Sequence, residues 1–168
     1  MTGVRLELEG SEAALAALGA AAARLDDPMP LYDEIGSMLV VSTQNRFERE
    51  EAPDGTPWPM SIRVLTEGGK TLSDTRRLVN SMTHEASNEG VAVGTNVIYA
   101  APHQMGATIK AKTAKGLRFQ VAGGWVNKQS VDIPQRAFLG LDADDEKVIG
   151  DIAGDYLGDP LGGVDVDR

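Results

Sequence analysis

The sequence predicts an α+β protein: a mostly antiparallel sheet packed against a long helix in the N-terminal half and a C-terminal helix, with one projecting β-hairpin. Three observations carry this. Two amphipathic helical stretches, about Pro30 to Glu50 and Asp142 to Leu157, bracket the chain. Between them lie short alternating runs separated by turn residues, the pattern of antiparallel strands. The 168 residues, 42% of them hydrophobic, suit one core. The expected organisation is a single domain over residues 1–157 followed by an acidic, flexible tail over 158–168.

Aromatic residues make up only 5% of the chain, so the core must rest largely on aliphatic side chains. There is no cysteine, which excludes disulfides and thiolate metal sites. No apolar run approaches the roughly 18 residues of a membrane span, and no signal peptide is evident at the N-terminus. The expected compartment is the cytoplasm or a particle assembled there. The net charge of −9 is unevenly spread. From Asp142 onward nine acids face two bases. From Ala107 to Val131 the chain carries Lys110, Lys112, Lys115, Arg118 and Lys128 and no acid. Such a division suits pairing with copies of the chain or with a charged partner, and equally suits two solvated surfaces.

In order, Val4 to Glu9 alternates apolar and charged as a half-buried strand, and Ser11 can cap a helix to Leu25 with Leu15, Leu18, Ala22 and Leu25 on one stripe. Pro30 suits the first turn of a second helix, whose apolar face is Leu31, Ile35, Met38 and Leu39. Its end, Arg46 to Glu51, reads as a charged surface. Pro53-Asp54-Gly55 is a turn: fixed φ, a side-chain acceptor, then a residue free to take positive φ. Trp58 is expected to fold back onto the helix as an anchor. Residues 60–72 give no clear pattern. Ser73 or Asp74 can cap a short helix bearing Leu78, Val79 and Met82. Ser81 to Ser87 and Val91 to Gly94 form a hairpin about Asn88-Glu89-Gly90, and Leu117 to Ala122 and Trp125 to Val131 form another about Gly123-Gly124. Ile133 to Leu141 returns the chain to the core. Asp142 caps the last helix, with Val148, Ile149, Ile152, Tyr156 and Leu157 as its apolar face.

The stretch Gly94 to Gly106 holds Tyr99, His103 and Gln104, which resemble catalytic equipment. A general base needs an orienting partner, and the nearest acids in sequence are Glu89 and Asp132. His103 is therefore expected to bond backbone groups and pack beside Tyr99. With His84 on a strand, the two histidines lack zinc-ligand spacing. Asp142-Ala143-Asp144-Asp145-Glu146 lacks the glycine and distal glutamate of a calcium loop. Gly68-Gly69-Lys70-Thr71 lacks the earlier glycine of a phosphate loop. No cofactor or metal is expected.

Five pieces recur in a telling order: Arg46-Phe47; Pro53-Asp54-Gly55-Thr56-Pro57-Trp58; Leu72-Ser73-Asp74-Thr75-Arg76-Arg77-Leu78 with Ser81; Val93-Gly94-Thr95-Asn96 with Tyr99-Ala100 and His103-Gln104 before Gly106; and Ile133-Pro134-Gln135-Arg136-Ala137-Phe138-Leu139-Gly140. In this order the chain, from about residue 30 to 157, resembles the phage virion morphogenesis family, the Mu-like tail completion proteins. It departs from that pattern at Arg76, where the family often has glycine, and at Ala137, where it often has proline.

The resemblance implies no enzymatic activity. It implies a structural virion protein that completes or caps the head-proximal end of a phage or phage-like tail, assembled in the host cytoplasm. Its partners would be copies of itself in a ring, commonly hexameric, the tail tube protein and the head–tail connector or neck proteins. No membrane is implied, and DNA only as passing cargo. The motif positions Phe47, Pro53, Gly55, Trp58, Gly94, Asn96, Tyr99, His103, Gln104, Gly106, Pro134, Arg136 and Phe138 are expected to be structural. Lys110, Lys112, Lys115, Arg118, Trp125 and Lys128 are the expected interface. The alternatives are another head–tail joining or head completion component and, from a different class, a small hydrolase using His103.

Overall fold

The structure is a computed structural model and describes residues 19–20, 22–121 and 124–158. The expected first strand, most of the expected first helix and the tail beyond Gly158 lie outside the described residues. Helix α1 (Met29–Arg49) is 21 residues long and carries a proline in its first turn. Arg46 and Arg49 stand in its last turn, where cations suit the helix dipole. Helices α2 (Ile62–Glu67), α3 (Arg77–Asn80) and α4 (Ala100–Met105) are single turns, and α5 (Ala143–Leu157) closes the described chain. The strands are β1 (Thr83–Ser87), β2 (Gly90–Gly94), β3 (Ala107–Lys110), β4 (Leu117–Val121), β5 (Gly124–Lys128) and β6 (Ser130–Ile133).

The architecture is α+β, with every strand pair antiparallel. The strands form three two-stranded sheets, β1–β2, β3–β6 and β4–β5, where the sequence suggested one larger sheet. The expected run Trp125–Val131 is accordingly divided. Residues through Lys128 pair with β4, and those from Ser130 pair with β3.

The β1–β2 hairpin lies on α1, and Gly36 makes the approach possible. A Cβ there would sit 2.5 Å from the His84 ring and 2.7 Å from Val91. His84 Nε2 meets Asp33 Oδ1 at 2.9 Å across the same contact. The core gathers at the other end of α1. Phe47 is fully buried, its ring 5.3 Å from Trp58 in an edge-to-face arrangement and 5.2 Å from Phe138. Leu78, Val79, Met82, Val97 and Ala100 complete the cluster. Trp58 is 6% exposed and donates its indole N–H to Ala137 O at 2.9 Å, so its one polar atom is satisfied.

Several expectations are corrected. Arg46 does not lie on a charged surface: it is 1% exposed, because its side chain turns inward to the start of α5. Neither Ser73 nor Asp74 caps a helix; α3 begins at Arg77, and its cap position is Arg76 in the left-handed region at φ 58°. That is the position where the resemblance expected glycine, and it is a conformation glycine adopts without strain. On α5, Val148 and Leu157 are exposed, and Ile149, Ile152 and Tyr156 are half-buried. Asp142 caps α5 in a reciprocal box with Asp145, each side chain accepting the other's backbone N–H.

Candidate functional site

The returning segment 133–141 is held by two devices. The first is α4. Gln104 Oε1 accepts from Phe138 N at 2.9 Å and Leu139 N at 3.0 Å, and its Nε2 donates to Leu139 O at 2.9 Å. His103 O accepts from Arg136 N at 2.7 Å. One glutamine thus satisfies three backbone groups of Phe138 and Leu139, which belong to no strand. Gly106 has φ 72° and a Cβ there would crowd Gln135 N at 3.3 Å. The second device is Arg46. Its Nη1 donates to Phe138 O at 3.2 Å and Gly140 O at 2.9 Å, and its Nη2 reaches Ser42 Oγ, Asp142 Oδ2 and Asp145 Oδ2. A buried guanidinium so joins α1, the returning segment and the α5 cap.

The other motif positions serve the same scaffold. Asp54 accepts from Thr56 N at 2.9 Å, and Gly55 takes φ 78°. A Cβ on Gly140 would stand 2.6 Å from Pro53, so loop and returning segment touch there. Thr95 Oγ1 meets Ser81 Oγ at 2.6 Å and accepts from Val97 N, fixing the turn after Gly94. Asn96 and Pro134 are exposed. Sequence reasoning overlooked the acid partner of Arg46, although Arg46-Phe47 and the Asp142 cap were both visible.

No carboxylate orients the His103 ring among the described residues. Its Nδ1 is buried without a hydrogen-bond partner, contrary to the expected bonds to backbone groups. The helical turn of α4 aims the ring toward Tyr99, 6.4 Å away between centroids, and Arg136 rather than at a carbonyl. Burial, then the nearby Arg136 charge, lower its pKa and keep the ring neutral. Among the described residues no cluster of His, Asp and Glu could hold a metal.

Arg136 and His103 line a cleft of about 1100 Å³ beneath the β4–β5 hairpin. On that hairpin half-buried Leu117, Phe119 and Val126 alternate with exposed Arg118, Gln120 and Trp125. The Arg118 guanidinium lies 4.6 Å from the centroid of Trp125, which is 62% exposed. Lys110, Lys112, Lys115 and Lys128 are exposed, and none of these bases forms an ion pair among the described residues. On α5, Asp144, Glu146, Asp151 and Asp155 are exposed.

The chain belongs to the phage virion morphogenesis family, whose model matches residues 8–158. It is 29% identical over 154 residues to Mu-like prophage FluMu G protein 2 of Haemophilus influenzae, an alignment spanning 92% of this chain and 96% of that one. No solved structure matches. Family membership makes this a virion-associated protein with a part in building the phage particle.

Proposed function

We propose that this protein completes the head-proximal end of a phage tail as a closed ring of identical subunits, hexameric by the family expectation, seated between the tail tube protein and the connector of the head. The observation that carries the reading is the division of exposed charge. The bases of residues 107–131 lack acid partners among the described residues, while α5 exposes four carboxylates. A heterologous contact between two unlike faces closes into a ring when its rotation allows, and complementary charge selects and orients such a contact. In this reading the hairpin meets a neighbouring copy or the tube. A lumen carrying the chain's net negative charge would let DNA pass without holding its phosphates. Membership of the phage virion morphogenesis family and the similarity to a Mu-like prophage protein support a part in building the particle.

The experiment is deletion of the gene with imaging of particles, beside the native mass of the purified protein. Overlong, uncapped tails and a ring-sized mass support the reading. Normal tails with heads that leak DNA favour a head completion component. Replacing Lys110, Lys112, Lys115 and Lys128 by Gln together should weaken assembly most at low salt, because exposed charges are screened beyond about 8–10 Å at physiological ionic strength. Assembly with unchanged salt dependence would remove the hairpin from the interface.

A further inference from the structure

The cleft under the hairpin combines three properties that ask for an occupant. Its walls carry apolar side chains, Ile62, Ile109, Phe119 and Ile133, among charged and polar ones. At its floor is the guanidinium of Arg136, a residue 5% exposed. Arg136 Nε donates to Pro59 O at 2.7 Å and Nη2 to Met60 O at 3.4 Å, and no carboxylate pairs with it among the described residues. A buried cation held only by neutral carbonyls is incompletely compensated. The acids on the rim do not supply the missing charge: Asp74 faces Arg63 at 3.9 Å, Asp132 accepts from Thr108 at 2.6 Å, and Glu67 pairs with none of these cations. The third property is backbone. β3, β4 and β6 all contribute to the wall, and each belongs to a sheet of only two strands, so each keeps one edge without a strand partner. Such an edge takes up an extended segment readily.

We propose that this cleft receives residues 159–168 of a neighbouring copy, an extended segment whose aliphatic side chains meet the walls and whose carboxylate reaches Arg136. That segment reads Asp-Pro-Leu-Gly-Gly-Val-Asp-Val-Asp-Arg, and Val164-Asp165-Val166-Asp167 alternates apolar and acidic with the period of a strand. Distance favours a neighbour over the same copy. α5 begins beside Arg46 and runs back along α1 until Tyr156 Oη donates to Asp27 O at 2.7 Å. Its 15 residues carry Gly158 about 22 Å from the Arg46 end of the molecule, at about 1.5 Å per residue. The cleft lies past that end, because Arg136 bonds the chain just after Trp58. From Gly158 to Asp165 an extended chain spans at most about 25 Å, at about 3.3–3.6 Å per residue. Within its own subunit only the last residues, about 30 Å of extended chain from Gly158, would come near Arg136, and only with the segment almost fully stretched. The inference rests on the proposed assembly and names one contact within it.

The absence of cysteine makes the test direct. In the full chain, Ile109→Cys on the cleft wall is combined with Val166→Cys and oxidised mildly at the concentration where the native mass shows assembly. Disulfide-linked dimers and higher ladders are expected. Their yield should fall about tenfold when Asp165 and Asp167 are both replaced by Asn, as for loss of a charged hydrogen bond. It should also fall when Ala92→Cys, on the exposed face of β2, replaces the wall cysteine. A closed monomer instead of a ladder overturns docking between copies. So does a yield indifferent to the aspartates, or equal at position 92. Assembly without the link refutes the docking and leaves the ring standing, whereas absence of both refutes the two together.

Discussion

Replacing Arg46 by Met tests how the scaffold is held. The change keeps the aliphatic stem of the side chain and removes the guanidinium. It strips the carbonyls of Phe138 and Gly140 of a donor and leaves Asp145, whose side chain is 4% exposed, as a buried charge without its partner. Removing one partner of a buried ion pair costs about 3–5 kcal/mol. Asp142, whose side chain is 21% exposed, adds less because water can replace part of its contact. At about 2–4 °C per kcal/mol for a chain of this size, Tm should fall by about 6–20 °C. Urea unfolding followed by circular dichroism measures the same loss as free energy. Asp145→Asn, which keeps a side-chain acceptor at the capping position, should rescue part of it, with a coupling of about 0.5–3 kcal/mol in the double-mutant cycle. A loss below about 1 kcal/mol, or strict additivity of the two changes, would refute the argument. The acid limb offers a second reading. Burial works against ionisation of Asp142, but hydrogen bonds from the Asp145 backbone and Arg46 outweigh it and lower its pKa. The resulting stability is present above about pH 3.9, the unfolded value, and disappears as pH falls through the folded value. In Arg46→Met the slope across that window should flatten.

Gln104→Ala should cost about 2–3 kcal/mol in urea unfolding, since three backbone bonds on Phe138 and Leu139 are lost together; a change within 0.5 kcal/mol (about the scatter of a neutral surface substitution) would deny the latch. Gly36→Ala should lower Tm through about 1–3 kcal/mol of overpacking, as the new methyl meets the His84 ring at 2.5 Å, and an unchanged Tm would mean that the hairpin moves freely on α1. Trp58→Ala and Phe138→Ala should each cost about 3–5 kcal/mol, and loss of particle assembly with full stability would instead mark them as contact residues. His103 has a lowered pKa, so its unfolded form takes up a proton first: stability should decline as pH falls below about 6.5, and His103→Gln should remove that component of the calorimetric profile.

Periodicity made much of the fold legible. The apolar stripe from Leu31 to Leu39 and the proline at its start marked α1, and alternating runs marked two hairpins, although Gly124 already pairs with Val121 in β5 and Gly123 of the expected turn lies outside the described residues. What was not legible is pairing across distance. The sequence shows that β3 and β6 are strand-like, but their register, Ala107 with Ile133, depends on closure across nineteen residues that themselves form the β4–β5 hairpin. Arg46 was misplaced for the same reason. On a helix with alternating charge it reads as solvated, and only the arrival of Asp142 and Asp145 from about 100 residues away makes burial tolerable. Gln104 and His103 stand side by side and divide by geometry: the amide of Gln104 fits the backbone of Phe138 and Leu139, while the His103 ring turns into the cleft with no acceptor for Nδ1.

The site follows a different logic from the core. Core positions answer to neighbours in the same chain, so aromatic scarcity already pointed to Trp58 and Phe138. Surface charge answers to partners that the chain does not contain. Five bases without an acid among them, on a chain that also carries an acidic helix, close no ion pair among the described residues. The carboxylates of α5 are excess in the same sense. Asp142 and Asp145 suffice for the cap and for Arg46, which leaves Asp144, Glu146, Asp151 and Asp155 facing outward. Two surfaces of opposite sign on one chain are what the proposed contact between copies would use, and whether unlike faces close into a ring or run on as a filament depends on the rotation between neighbours.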